Sequence, residues 1–543
     1  MEQSRETSLQ AMAETPLDLL IIGGGITGAG IARDAALRGF RTAVVDKSDF
    51  GAGTSSHSSR LIHGGIRYLE QGAFRLVFEA SHERRVLLRI APHLVRPLAF
   101  LFPIYRGSRV PAWKLRAGMW LYDLLAAFRN VHWHRWLRPK NVRRVEPGLR
   151  DRDLVGAALY YDAQTDDARL VIATIRSAIR AGALAANYVE ATALLKPDGR
   201  VRGAVMRDVL TGETTPLRAH VVVNATGPWS DQLRKLDDPQ APPALRSTKG
   251  AHVAVSRKRL PTQHAIALFS QLDGRVMFVL PWGDLSYIGT TDTDADASPD
   301  ALRLTADDVT YLLRSANAAF PDAHLSSRDV ISGWVGLRPL LREDHGLPSQ
   351  ISREHRVFES SHGLISIVGG KLTTYRVMAR DVVDRVAQRL HELDGRPLAG
   401  RPYTDRQPLP GGEAAELEVL VDAARARGVV EATARHLVAH YGSEAAAVLN
   451  LVERDRKLGE PIIAGRPELW AEVDAAVTRE LAVRVQDIMI RRLHLFYEVP
   501  DRGQSVVPRV AARMKQLLGW DAGREADELR DYAKVIERGR IKA

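Results

Sequence analysis

Three glycines, Gly23, Gly25 and Gly28, stand in the spacing G-x-G-x-x-G directly after the apolar run Leu19-Leu20-Ile21-Ile22. Asp46 ends a second apolar run, Thr42-Ala43-Val44-Val45. Glycines in this pattern let a backbone turn and a helix N-terminus approach a pyrophosphate, and an acid at that remove can accept hydrogen bonds from ribose hydroxyls. The pattern predicts a dinucleotide site; the plainer alternative is a glycine-rich turn in an ordinary βαβ unit. Further along, His252 follows Lys249-Gly250-Ala251, Arg338 stands in Gly336-Leu337-Arg338-Pro339-Leu340, and Lys371 follows Gly369-Gly370. An imidazole titrates near neutral pH and can act as a base, while arginine can grip a phosphate dianion bidentately. By residue type alone, His252 equally fits a histidine hydrogen-bonded in a sheet, and Arg67, Arg338 and Arg353 equally fit solvated surface arginines.

The elements that must position these residues can be read from the apolar pattern. Residues 31–41 predict a helix closed by Gly39, and the polar, glycine-rich segment Phe50 to Ser59 with the run Arg60 to Glu70 after it suits backbone wrapped around a ligand. Residues 81–90 predict an exposed helix. The run Ala219-His220-Val221-Val222-Val223-Asn224-Ala225-Thr226-Gly227 predicts a buried strand ending where backbone could approach the same cofactor. Val189, in a strand predicted over 187–195, is a backbone contact for adenine or else simply core. Residues 366–376 repeat the strand–glycine–helix design of the first junction, which argues for one discontinuous fold closing on one ligand. Between about 245 and 350 the pattern predicts an antiparallel sheet on the substrate side, and residues 408–543 predict a separate all-helical domain.

The 543 residues contain no cysteine, so disulfides, thiolate metal sites and iron–sulfur clusters are excluded, and a redox enzyme of this sequence must rely on a bound cofactor. The reading assigns no metal ligands. Lysine and arginine total 76 against 65 acidic residues, a net charge of +11, which suggests an anionic partner: a phosphorylated molecule or an anionic membrane surface. No nucleic-acid motif is present. No run approaches the roughly 18 apolar residues of a spanning helix. Residues 98–137 interleave Trp113, Trp120, Trp133 and Trp136 with arginines and a lysine. This composition fits an interfacial membrane segment or, equally, a helix packed on its own domain.

Taken together, Gly23 to Gly30, Thr54-Ser55-Ser56, Leu61-Ile62-His63-Gly64-Gly65-Ile66-Arg67-Tyr68-Leu69-Glu70, Asp166 to Leu170, Asn224 to Trp229, Lys249 to His252, Gly336 to Leu340 and Gly369 to Arg376 resemble the FAD-dependent, quinone-linked glycerol-3-phosphate dehydrogenases. The resemblance spans essentially the whole chain. It implies an α/β fold: a discontinuous Rossmann-like FAD-binding domain (1–90, 151–245 and 356–407), an aromatic and basic segment (91–150) able to dock on membrane, a β-rich substrate cap (246–355), and an all-helical C-terminal domain (408–543). It implies non-covalent FAD held by Gly23, Gly25, Ile26, Thr27, Gly28, Asp46, Lys47, Thr54, Ser55, Ser58, Leu61, His63, Gly64, Gly65, Val189, Ala225, Thr226, Gly227, Trp229, Arg338, Gly370, Lys371, Leu372 and Thr373. It further implies oxidation of sn-glycerol 3-phosphate to dihydroxyacetone phosphate. In that reaction His252 and Arg338 would be catalytic, and Arg67, His252, Arg338, Arg353 and Lys371 would face the substrate. The implied partners are a membrane quinone, an anionic membrane surface and a second copy of the chain, and the implied place is the cytoplasmic face of the membrane. An oxidase that passes electrons to O2 and yields hydrogen peroxide is the alternative. Two departures from the family pattern stand out: Asp46 where glutamate is common, and Asp162-Ala163-Gln164-Thr165 without an aromatic residue.

Overall fold

The structure, a computed structural model, describes residues 4–540 apart from 71, 127–129, 296–297, 343–352, 399, 401–402 and 415, and the side chain of Arg67. Phe128 and Arg129 of the aromatic and basic segment therefore lie outside the described residues.

The first apolar run forms strand Leu17–Ile22, which pairs in parallel with Thr42–Val45 on one side and Thr214–Asn224 on the other. Leu184–Ala186 extends the sheet beyond Thr42–Val45, and Ile365–Gly369 extends it beyond Thr214–Asn224. Ile21, Val44 and Val223 are fully buried, as the continuous apolar runs of a two-sided parallel sheet require. Helix Ile26–Leu37 leaves the first strand and packs between helices Asp167–Arg180 and Tyr375–Asp394. It starts earlier than the predicted 31–41 because Gly28 and Gly30 belong to the helix, serving close packing instead of a turn. A Cβ on Gly28 would sit 1.8 Å from the Gly23 carbonyl oxygen, and one on Gly30 would sit 2.8 Å from the Tyr375 ring.

The second sheet has ten strands and is largely antiparallel. Its centre is the pairing of Leu245–Ser256 with Val330–Leu341. Strand Val95–Tyr105 also belongs here, paired along its length with Leu154–Thr165. This corrects part of the membrane reading: Phe100, Leu101 and Phe102 are buried in the sheet, so the apolar stretch 98–103 is core. The helix around 81–90 is likewise amphipathic and longer than expected. It runs Phe74–Ile90 and buries Val77, Ala80, Leu87 and Ile90.

The C-terminal part is helical from Leu417–Ala426 to Ala522–Gly539. This all-helical domain is tied to the rest by buried ion pairs. Asp49 holds Arg491 and Arg492, Glu480 holds Arg169 through two 2.7 Å bonds, and His494 Nε2 lies 2.6 Å from Asp166. All of these side chains are buried. Ion pairs between distant segments leave no periodic mark in sequence, so the pattern showed the all-helical C-terminal domain but not the bonds that join it to the rest.

Candidate active site

The three glycine junctions open onto one cavity of about 680 Å3. Gly23, Gly25, Ile26, Thr27, Asp46, Lys47, Thr54, Ser55, Val189, Ala225, Thr226, Gly227, Trp229, Gly370, Lys371 and Leu372 line it. Gly25 caps the helix without a side chain, and a Cβ there would come within 3.1 Å of Ser55 Oγ, which accepts the Ile26 amide at 2.9 Å. Gly23 has φ +110, and a Cβ would meet the Ala225 carbonyl at 2.5 Å. Only glycine fits that close approach. Asp46 accepts the Gly24 amide at 2.7 Å and the Ser48 amide at 2.8 Å, so its carboxylate also shapes the loop. Burial pushes its pKa up to about 6, against the pull of the Ser48 and Gly24 bonds. At the mouth, the Lys47 ammonium lies 4.5 Å from the Trp229 ring and 3.3 Å from Asp300. A side-chain-free cradle at a helix N-terminus beside a half-buried acid fits the pyrophosphate and ribose of a dinucleotide.

The substrate side is built by strand alternation. In the pairing of Leu245–Ser256 with Val330–Leu341, Thr248 faces Arg338, Gly250 faces Gly336 and His252 faces Trp334, so these six residues share one face. The two glycines clear that face. A Cβ at Gly250 would sit 2.3 Å from Arg338 Nη2, and one at Gly336 would sit 2.9 Å from the His57 Cβ. Arg338 Nη1 donates to Asp292 at 3.0 Å and Nη2 to Thr290 Oγ1 at 2.8 Å. Arg353 reaches the other Asp292 oxygen at 3.4 Å, so one buried carboxylate holds both arginines. His252 is buried, stacked on Trp334 at 5.1 Å, and its Nε2 lies 2.8 Å from Ser59 Oγ. Burial, reinforced by Arg338, Arg60 and His57, pulls its pKa down to about 3, so the ring is neutral at physiological pH. Lys371 caps the turn Leu372–Thr374 that runs into helix Tyr375–Asp394, with its ammonium 3.6 Å from the Tyr68 ring centroid.

Several expected cofactor residues fall outside the cavity lining. Gly28 packs the helix onto Gly23, Leu61 is buried in a strand, and Ser58 gives both its amide and its hydroxyl to Asp167. The Gly64 amide donates to Tyr122 Oη and Asp162, and Thr373 Oγ1 accepts the His63 amide at 3.2 Å. A Cβ on Gly65 would meet the Tyr68 ring at 2.3 Å. The segment 61–65 is thus tied to the 371–374 turn and to the cap by internal bonds. His252, Arg338 and Arg353 also lie beyond the lining, on the sheet face just described.

One group escaped the sequence reading. Arg60, buried and at φ +54, sits among four aromatic rings: Trp282 at 4.6 Å, Tyr287 at 5.1 Å, Trp334 at 5.4 Å and Tyr497 at 5.9 Å. It stands behind His252 through Trp334, and Tyr497 comes from the helical C-terminal part. Four aromatics scattered over more than two hundred residues give no local signal; the arginine within a serine-rich loop was the only visible hint.

The sequence pattern of the FAD dependent oxidoreductases is matched by residues 18–376, and that of the C-terminal domain of alpha-glycerophosphate oxidase by residues 402–525. Glycerol-3-phosphate dehydrogenase 2 of Mycobacterium tuberculosis is 37% identical over 542 residues, covering 98% of this chain and 90% of the relative. The mitochondrial glycerol-3-phosphate dehydrogenase of Mus musculus is 36% identical over 553 residues, covering 98% and 75%. A solved structure, the glycerol-3-phosphate dehydrogenase from Bacillus halodurans complexed with FAD, matches with a TM-score of 0.83 at 32% identity, covering 98% of this chain and 97% of that one. L-alpha-Glycerophosphate Oxidase from Mycoplasma pneumoniae, at 17% identity and a TM-score of 0.57, shares the fold.

Proposed function

The chain belongs to the FAD-dependent glycerol-3-phosphate dehydrogenase family, and from that premise we propose that it oxidises sn-glycerol 3-phosphate to dihydroxyacetone phosphate and passes the electrons to a membrane quinone. The observation that carries this reading is the shared face of His252 and Arg338, set beside the glycine junction that closes the cofactor cavity. When bound, non-covalent FAD supplies the two-electron acceptor.

The protein's residues supply the rest. Arg338 and Arg353, aligned by Asp292, form a clamp for the phosphate dianion. Arg67, whose side chain lies outside the described residues, is a third substrate-side candidate by family position. His252 takes the hydroxyl proton. Its Nε2 shares a hydrogen bond with Ser59 Oγ at 2.8 Å, which orients the ring, and the neutral imidazole keeps one nitrogen lone pair to accept the proton. Lys371 places positive charge at the start of a helix whose N-terminus is already electropositive. Both favour negative charge gathering at the adjoining cofactor when it is reduced.

The site for docking is the outer face of helix Ala112–Leu125 with its neighbours. Leu115, Met119 and Tyr122 point into the core, leaving Trp113 72%, Trp120 56% and Leu124 57% exposed. Phe74, Phe78 and Trp133 are exposed too, and Lys114, Arg116 and Arg135 stand among them. Aromatic and basic residues in this mixture suit the surface of an anionic bilayer. Among the described residues no helix is long and apolar enough to cross a membrane. This reading puts the enzyme on the cytoplasmic face of the membrane; the homodimer implied by the family is tested by sedimentation. The match of the C-terminal part to an oxidase domain keeps O2 in view as acceptor. Turnover of glycerol 3-phosphate with a quinone analogue under nitrogen, compared with peroxide yield in air, tests the proposal. Rapid quinone reduction with little peroxide is expected; stoichiometric peroxide with no quinone reduction would overturn the choice of acceptor.

A further inference from the structure

Three ligating side chains converge in the helical part of the molecule, away from the cofactor cavity. His436 and His440 are one turn apart on helix Glu431–Tyr441, and Glu472 lies in the first turn of helix Trp470–Glu480. One ligand atom from each lies within 4.8 Å of the other two. The i, i+4 spacing brings the imidazoles to one side of the helix, with ring centroids 4.2 Å apart. Glu472 is fully buried, and its two oxygens lie 2.9 and 3.1 Å from His436 Nε2. The Leu469 amide donates to the same carboxylate at 2.8 Å, which fixes its orientation.

A histidine–carboxylate pair could account for His436 and Glu472, but not for the third member. Nδ1 of His440 is buried with no hydrogen-bond partner among the described residues, next to a pair that already shares a proton. A buried imidazole nitrogen left unpaired forfeits the hydrogen bonds it would make in water, which destabilises the fold. A cation that accepts lone pairs from all three groups removes that cost and neutralises the buried carboxylate.

We propose that His436, His440 and Glu472 form a structural site for one divalent cation of the zinc class. Two imidazoles and one carboxylate are a donor set for Zn2+, whereas Mg2+ and Ca2+ take oxygen ligands almost throughout. On binding, the metal forms bonds to a nitrogen of each histidine and to a Glu472 oxygen. The His436–Glu472 hydrogen bond breaks, and its proton passes to solvent. The metal pins two helices together at the joint with the cofactor-binding part, where Arg169 donates to the His440 carbonyl at 3.1 Å and pairs with Glu480.

The test uses untagged, full-length, FAD-loaded protein stripped with a chelator and then titrated with Zn2+, Co2+ and Mg2+. One equivalent of Zn2+ per chain is expected, with a raised melting temperature and the visible bands of low-symmetry Co2+. X-ray absorption at the zinc edge should read two imidazoles and a carboxylate. His440→Ala should keep its flavin but weaken Zn2+ binding by more than the roughly 10–100-fold that a lost outer-shell partner costs. Substoichiometric zinc in the wild type, zinc affinity unchanged in His440→Ala, or Mg2+ bound as tightly as Zn2+ would each overturn the site.

Discussion

In the proposed site Arg338 serves two functions at once: it would grip the substrate's phosphate, and its charge acts on the ring of His252. Burial, Arg338, Arg60 and His57 all favour the neutral imidazole, so His252 stays unprotonated down to about pH 3. The acidic limb of kcat/KM that belongs to the base should therefore lie far below pH 6.5. Removing a positive neighbour raises a histidine's pKa, so in Arg338→Gln that limb should move up toward neutrality; a downward move in the pH profile would contradict the assignment. The same variant loses charged hydrogen bonds worth about 1.5–3 kcal/mol, so KM for glycerol 3-phosphate should rise about 10- to 100-fold while flavin content is kept. Sequence made His252 and Arg338 visible through the family pattern of Lys249 to His252 and Gly336 to Leu340; by residue type alone each also fitted an ordinary structural role. It could not show Ser59, Asp292 or Arg60 in their roles. Each acts across a long stretch of chain, and a serine, an aspartate or an arginine has many ordinary uses.

At the scale of elements, the first helix is governed by what its glycines touch. Alanine favours a helix over glycine by about 1 kcal/mol, so Gly→Ala inside a helix is stabilising where space allows. Gly118, in helix Ala112–Leu125, has nothing within 4 Å of an added Cβ, and Gly118→Ala should raise the melting temperature. At Gly28 the added Cβ would stand 1.8 Å from a backbone oxygen that cannot move aside without dismantling the turn. Gly28→Ala should lower both the melting temperature and the flavin-to-protein ratio; an unchanged ratio would show that the turn tolerates being opened. The fingerprint was legible because backbone approach demands glycine, but the helix start was misplaced, since a packing glycine and a turn glycine look alike in sequence. Whether residues 98–103 face lipid or their own domain was left open for a related reason: an apolar aromatic run is the same in either place, and here it is buried in strand Val95–Tyr105.

Across the whole molecule, the helical C-terminal part is joined to the cofactor-binding part by buried ion pairs and lends Tyr497 to the wall behind His252, while helix Ala112–Leu125 carries the exposed Trp113 and Trp120. If that surface docks on lipid, Trp113→Glu with Trp120→Glu should abolish binding to anionic vesicles and leave turnover with a soluble dye acceptor intact; vesicle binding equal to wild type would refute the docking face. Composition disclosed the basic charge and the tryptophans, but which tryptophans face outward depends on the helix phase that the packing fixes. The proposed oxidation of glycerol 3-phosphate, with His252 as the base, is followed in one spectrum: FAD-loaded protein is mixed with glycerol 3-phosphate under strict anaerobiosis and the flavin absorbance is recorded. Complete bleaching is expected in the wild type. Bleaching slowed by about 100-fold or more is expected in a His252→Ala variant that still holds FAD, in line with the contribution of a general base. A flavin that stays oxidised at saturating glycerol 3-phosphate, or a variant that bleaches at the wild-type rate, would contradict it.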